Sequence, residues 1–99
     1  MRLSPEHQSV IRAVVDRECG AAATVRLFGS RLDDSARGGD VDLLIELQRP
    51  VERPALMASQ LSVLLSRALG GRAVDVVLAA PNLQRGAIHQ IAERQGQLL

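Results

Sequence analysis

The most informative segment of this chain is Asp40-Val41-Asp42-Leu43-Leu44-Ile45-Glu46-Leu47. Its aliphatic residues occupy consecutive positions, which is typical of a β-strand that is buried on both faces of a sheet. Two aspartates stand at its beginning, and residues two apart in a strand point to the same face. The stretch therefore predicts an interior strand whose first residues carry two carboxylates side by side.

The residues before this strand predict a helix followed by another strand. Ser4 is a suitable N-cap, Pro5 suits the first helical turn, and apolar residues at helical spacing continue to Cys19. The segment Thr24-Val25-Arg26-Leu27-Phe28 alternates and is rich in β-forming residues, so it predicts a strand.

The residues after it predict a helix from about Pro54 to Leu69 and a strand from Ala73 to Ala79. Asn82 is predicted to cap a last helix, whose apolar face is expected to carry Leu83, Ala87, Ile88, Ile91 and Ala92.

The predicted order is helix, strand, strand, helix, strand, helix. The first two strands suit antiparallel pairing, and the helix between the second and third suits a parallel pair with a right-handed crossover. We expect a single domain over residues 1–99, in the α+β or α/β range. A small mixed sheet of three strands or slightly more carries helices packed on it.

Composition excludes several function classes. All 12 basic residues are arginine, which rules out a catalytic lysine and a P-loop with its Gly-Lys-Ser or Gly-Lys-Thr. The net charge is +1 and Phe28 is the only aromatic residue, so the chain has no strong nucleic-acid footprint and no platform for stacked bases. No stretch is apolar enough to cross a membrane, and residues 1–7 lack a signal-peptide pattern. We therefore expect a cytoplasmic protein with no membrane partner.

The cysteine and histidines point to no chemistry. Cys19 is the only cysteine, so no internal disulfide is expected, and it suits a small packing residue. His7 and His89 have no second ligand at metal-binding spacing and are expected at the surface.

Three aspartates predict a metal site. Asp40 and Asp42 repel each other on one strand face, and a divalent cation removes that repulsion. Asp75 lies between apolar residues of the third strand, where a buried charge is costly unless it is paired or binds a metal. Carboxylate oxygens are ligands of Mg²⁺, so neighbouring strands would bring the three acids to one or two ions.

A short turn after the first strand predicts a phosphate site. Gly29 lets the backbone approach a ligand closely, and Ser30 offers a hydroxyl and a helix-capping position whose N–H groups bind anions. Arg31 adds a planar fork for phosphate oxygens. The loop that follows returns this turn to the paired aspartates.

Phe28-Gly29-Ser30-Arg31, then Gly39-Asp40-Val41-Asp42-Leu43-Leu44-Ile45, then Val74-Asp75-Val76-Val77, resembles the signature of the minimal nucleotidyltransferases of the DNA polymerase β superfamily. The spacer between the first two motifs is slightly shorter than the form usual in that subfamily. The resemblance implies the nucleotidyltransferase fold and transfer of a nucleoside monophosphate, AMP above all, from ATP or another nucleoside triphosphate to a hydroxyl.

By the same resemblance, Asp40, Asp42 and Asp75 hold Mg²⁺, while Gly29, Ser30 and Arg31 hold the phosphates. Family members of this type act as antitoxins toward a helical HEPN-type partner protein, and some modify a tyrosine of that partner. In a chain of this length, either a second protein or a second copy of the chain is expected to supply the acceptor surface.

Other interpretations stay open at this stage. The paired aspartates suit solvated residues at the start of a strand, and Asp75 suits an acid paired with Arg26 or Arg72. Ser30 suits an ordinary helix cap, and Arg31 suits an exposed or ion-paired residue. Two other functions also fit: a non-catalytic nucleotide-binding module that masks a partner toxin by contact, and a transferase acting on a small hydroxyl compound.

Overall fold

A computed structural model describes residues 3–29 and 41–99 of the chain. The helices and strands in this part follow the predicted order, with one short strand added at the end. Their bounds are α1 Pro5–Cys19, β1 Thr24–Phe28, β2 Val41–Glu46, α2 Pro54–Ala68, β3 Val74–Ala79, α3 Ala87–Gln95 and β4 Gln97–Leu98.

The described strands form one mixed sheet in the order β3-β2-β1-β4. β1 pairs antiparallel with β2, and β2 pairs parallel with β3 through the connection that contains α2. Both pairings agree with the sequence prediction, and the protein is a small α+β structure. The sequence did not predict β4, which adds two residues to the other side of β1 in antiparallel orientation.

The sheet has two faces because strand side chains alternate. The inner face contributes Val25, Leu27, Leu43 and Ile45 to the main core, together with the buried side of α1 and α2. The outer face has a smaller cluster with α3, made of Phe28, Leu44, Ala79 and Ala92.

β2 is the interior strand that the sequence predicts. Leu43, Leu44 and Ile45 are each 0% exposed although they point alternately to opposite faces. Full burial of such a side chain contributes about 1.5–3 kcal/mol, so these consecutive residues hold both layers of helices to the sheet.

The first helix begins as predicted. The N–H of His7 donates to the Ser4 hydroxyl oxygen at 3.1 Å, and Pro5 occupies the first turn, where no helical N–H bond is lost.

The beginning of the last helix was predicted incorrectly. Asn82 does not cap it, because its side-chain amide donates to Val51 O at 2.8 Å and its oxygen accepts from Val51 N–H at 2.9 Å. This reciprocal pair ties the segment after β3 to the loop after β2, and α3 begins only at Ala87. The expected apolar stripe is confirmed at Ala92, which is 0% exposed, and is wrong at Ile88 and Ile91, which are 42% and 45% exposed.

His89 is buried on the side of α3 where the isoleucines were expected, so its prediction as a surface residue was wrong. Its side chain is buried, with Nδ1 accepting from Gly86 N–H and Nε2 lying 2.9 Å from Leu78 O. These two partners select the neutral tautomer with the proton on Nε2. His89 therefore fixes the start of α3 to the edge strand β3.

We expect His89→Ala to lower the free energy of unfolding by about 1–3 kcal/mol, because a buried carbonyl loses its donor. The matched control is Gln90→Ala on the exposed side of the same helix, with an expected change within about 0.5 kcal/mol. Urea unfolding followed by circular dichroism measures both. Equal effects of the two substitutions would contradict the role given to the histidine.

Candidate metal and phosphate site

The end of β1 lies directly beside the first residues of β2. In the antiparallel register Phe28 is opposite Asp42, so Gly29 follows at the point where the Asp42 carboxylate lies. Gly29 has φ +77°, and a Cβ built on it would lie 2.3 Å from Asp42 Oδ2. Glycine is favoured there by its backbone conformation, and any side chain would require the Asp42 carboxylate to move.

Asp42 and Asp75 are direct neighbours across the parallel pair β2–β3. Residues in register on adjacent strands point to the same face, and adjacent strands lie about 4.8 Å apart. Both carboxylates therefore project from the outer face at the end of the sheet where β2 and β3 begin. This placement agrees with the expectation that the acid of the third strand faces the same side as Asp42.

Asp75 differs from the expectation in its burial. The sequence interpretation placed it inside a buried strand, whereas it is exposed and Asp42 is half-buried. The reason is topological, because β3 is an edge strand and α3 packs further along the outer face, over Leu44 and Ala79. The desolvation cost that was expected to require a metal at Asp75 is therefore absent.

The structural partners considered for Asp75 are also not observed. Arg26 Nε lies 3.6 Å from Glu46 Oε1 instead, and the described residues include no salt bridge of Asp75 with Arg26 or Arg72. Within residues 3–29 and 41–99, Asp75 is thus a solvated carboxylate beside Asp42.

The remaining predicted site residues lie outside the described residues. These are Asp40 of the aspartate pair and Ser30 and Arg31 of the predicted phosphate turn. The described part brings together Gly29, Asp42 and Asp75, and it contains no group of three or more His, Cys, Asp or Glu residues that could hold a metal ion.

A shallow trough runs between α2 and the outer edge of β3, and sequence reasoning missed it. We call it the edge trough. Its lining on the α2 side is Ala58, Ser59, Ser62, Val63, Ser66 and Arg67, and its lining on the β3 side is Ala73, Val74, Asp75 and Val76. The signal in the sequence is the helical spacing of the three serines, whose small side chains leave space beside the strand.

No protein-family model matches the chain, and no curated protein matches it significantly. Among the helices in the described ranges, none has the length and apolarity needed to traverse a bilayer.

We expect Gly29→Ala to be more destabilising than Gly70→Ala, which is a matched control. Gly70 has nearly the same backbone, φ +75°, but a Cβ there would meet nothing within 4 Å. Gly70→Ala measures the conformational cost alone, about 1 kcal/mol, and Gly29→Ala adds the clash with the carboxylate, about 1 kcal/mol or more.

Combining Gly29→Ala with Asp42→Ala removes the clashing oxygen, so the double variant is expected to recover the added cost in a thermodynamic cycle of unfolding free energies. Strict additivity of the two substitutions would show that the carboxylate does not occupy the space above Gly29.

Proposed function

We propose that this protein is a magnesium-dependent nucleotidyltransferase that moves a nucleoside monophosphate, AMP in the first instance, from a nucleoside triphosphate to a hydroxyl group. The observation that carries the proposal is the register of Asp42 and Asp75 on one face of the sheet, with Gly29 packed against the Asp42 carboxylate. The reaction itself, transfer of a nucleotide, is proposed because the Gly-Ser and Asp-x-Asp motifs resemble those of the minimal nucleotidyltransferases.

The donor atoms of the described residues are of the type that binds magnesium. Asp42 and Asp75 offer carboxylate oxygens, which Mg²⁺ prefers, and a site of one or two protein carboxylates completed by substrate phosphates is usual for this ion. Asp40 is the third ligand in the proposal. Bound Mg²⁺ supplies positive charge to the triphosphate, so that the charge of the departing pyrophosphate is neutralised.

The protein's own residues bind and orient the reactants. The acceptor oxygen attacks the α-phosphorus, a new P–O bond forms, and the bond to the β-phosphate oxygen breaks to release pyrophosphate. The acceptor proton passes to Asp75, which is solvated and can return it to water. The main chain of Gly29, together with Ser30 and Arg31, holds the departing phosphates in line.

The proposed acceptor is a side-chain hydroxyl on a helical HEPN-type partner protein in the cytoplasm, which gives the chain an antitoxin role. This part of the proposal comes from the family resemblance.

Isothermal titration with Mg²⁺ and ATP tests the site. We expect Asp42→Asn and Asp75→Asn each to weaken metal-dependent ATP binding by about tenfold or more, because each removes one anionic oxygen donor without changing side-chain size. Asp16→Asn is the matched control, since Asp16 is an exposed acid on α1, which packs on the inner face. Its binding is expected to equal that of the wild type.

Transfer is tested separately with ATP labelled on the α-phosphate and a co-expressed partner protein. Label on the partner with the wild type, and none with Asp42→Asn, is the expected result. If the wild type binds Mg²⁺ and ATP but labels no protein or hydroxyl compound, the catalytic proposal fails and the non-catalytic binding module becomes the better description.

A further inference from the structure

The outer edge of β3 has a defined set of main-chain groups. Ala73 O accepts from Val41 N–H at 2.9 Å and Ala79 O accepts from Leu47 N–H at 2.8 Å, so the odd-numbered residues of this strand face β2. Strand main-chain groups alternate in direction, and the N–H and C=O groups of Val74, Val76 and Leu78 therefore point away from the sheet.

Two of these three outward carbonyls are occupied by side chains. The Ser62 hydroxyl donates to Val74 O, and His89 Nε2 donates to Leu78 O. Val76 lies between them, and no side chain in residues 3–29 or 41–99 hydrogen-bonds its N–H or C=O. The outward N–H groups of Val74 and Leu78 have no partner among the hydrogen bonds of the described residues, but the carbonyls of these two residues are occupied. Val76 is therefore the one outward-facing residue of β3 that offers both a donor and an acceptor, which is the pair that an adjacent strand uses.

The edge trough provides space for a chain at this position. Val63 is 49% exposed and lies in the trough with the serines of α2, so an apolar contact is available on the helix side of Val76. Asp75 is adjacent to Val76 in sequence and also lines the trough, but its side chain belongs to the outer face, where Asp42 lies. A strand bound at Val76 would therefore pass directly beside the proposed site.

We propose that the edge trough binds one extended segment of the acceptor polypeptide, which pairs its main chain with Val76 and presents a hydroxyl side chain to Asp75. The part of the inference in which this hydroxyl accepts a nucleotide rests on the proposed function. Binding of the segment itself requires neither metal nor nucleotide, because it depends on the strand edge and the trough.

Strand alternation also fixes the pattern of the segment. The residue opposite Val76 points toward α2 and contacts Val63, so it is apolar. Its neighbour in the segment points to the outer face, beside Asp75, and is the serine, threonine or tyrosine that accepts the nucleotide.

A second copy of the chain is a poorer occupant of the same edge. Antiparallel pairing of two β3 strands centred on Val76 would set Asp75 opposite Val77 of the other copy. The two Asp75 carboxylates would then be diagonal neighbours on one face, where like charges are destabilising.

Short randomised peptides displayed on phage, selected on the full chain without metal or nucleotide, supply the probe. The tightest selected peptide is synthesised with a fluorophore and its affinity is measured by anisotropy. Val63→Arg is expected to weaken binding by about tenfold or more, because it places a charged, bulky side chain in the trough. Leu56→Arg is the matched control on the same helix, 47% exposed and outside the trough, with an expected change within about twofold.

A second probe tests the main-chain pairing. N-methylation of the peptide amide that donates to Val76 O is expected to reduce the affinity of the selected peptide to that of an unselected peptide. Methylation of the next amide, which points away from the edge, is expected to change the affinity little. Selection of no peptide, equal loss with Val63→Arg and Leu56→Arg, or indifference to methylation would each overturn the inference. So would a dimer in light scattering that Val63→Arg dissociates, because the trough would then belong to a second copy.

The peptide and transfer measurements fail separately. Peptide binding by a wild-type chain that transfers no label leaves the edge trough in place and removes the proposed function. Label transfer by a chain that binds no extended peptide removes the docking site alone.

Discussion

The parallel register between β2 and β3 is the constraint on which the rest of this structure depends. It places Asp42 beside Asp75, and it also places Leu44 and Ile45 beside Val77 and Leu78. A shift by one residue would send every side chain of β3 to the opposite face, so that Asp75 would enter the main core and Val76 would leave it. The same apolar contacts that select the fold therefore hold the two carboxylates side by side, although like charges in directly opposite positions repel each other.

The helix α3 covers only part of the outer face of the sheet. The candidate site residues lie on the part that it leaves open. α3 contacts the sheet through Ala92 over Phe28, Leu44 and Ala79, and His89 ties its first turn to the edge of β3. On β2 and β3 this contact begins at Leu44 and Val77, two residues after Asp42 and Asp75, whereas on β1 it includes Phe28, which is opposite Asp42. Asp75 therefore stays exposed and Asp42 stays half-buried.

Local patterns in the sequence were sufficient for most of the fold. Three local patterns favour the secondary structure that tertiary packing then stabilises. They are the N-cap at Ser4, the alternation in β1 and the consecutive aliphatic residues of β2. β4 was not predictable in this way. Two residues are too few to show a periodic pattern, and the strand forms by pairing with the side of β1 that faces away from β2. Asn82 and His89 were misassigned for a similar reason, since their partners Val51 and Leu78 lie in other elements and are brought near only by the tertiary fold.

For the candidate site, the sequence predicted the common face of Asp42 and Asp75 and the need for glycine at position 29, but not the exposure of Asp75. Whether a strand is interior or at an edge depends on its neighbours, and an apolar run such as residues 73–79 suits either. The residue types Asp, Gly and Ser indicate chemistry, whereas burial is a property of the assembled sheet.

The difference in burial between the two aspartates also favours different roles for them. Asp42 is half-buried, and one of its carboxylate oxygens lies in the space that a Cβ at position 29 would occupy. In the proposed function this carboxylate is a ligand of the ion. Asp75 is exposed at a strand edge, where it can meet an incoming group and exchange a proton with water. Under the proposed function, Asp42 therefore contacts the ion and Asp75 lies on the side from which the acceptor approaches, which is also the side of the edge trough.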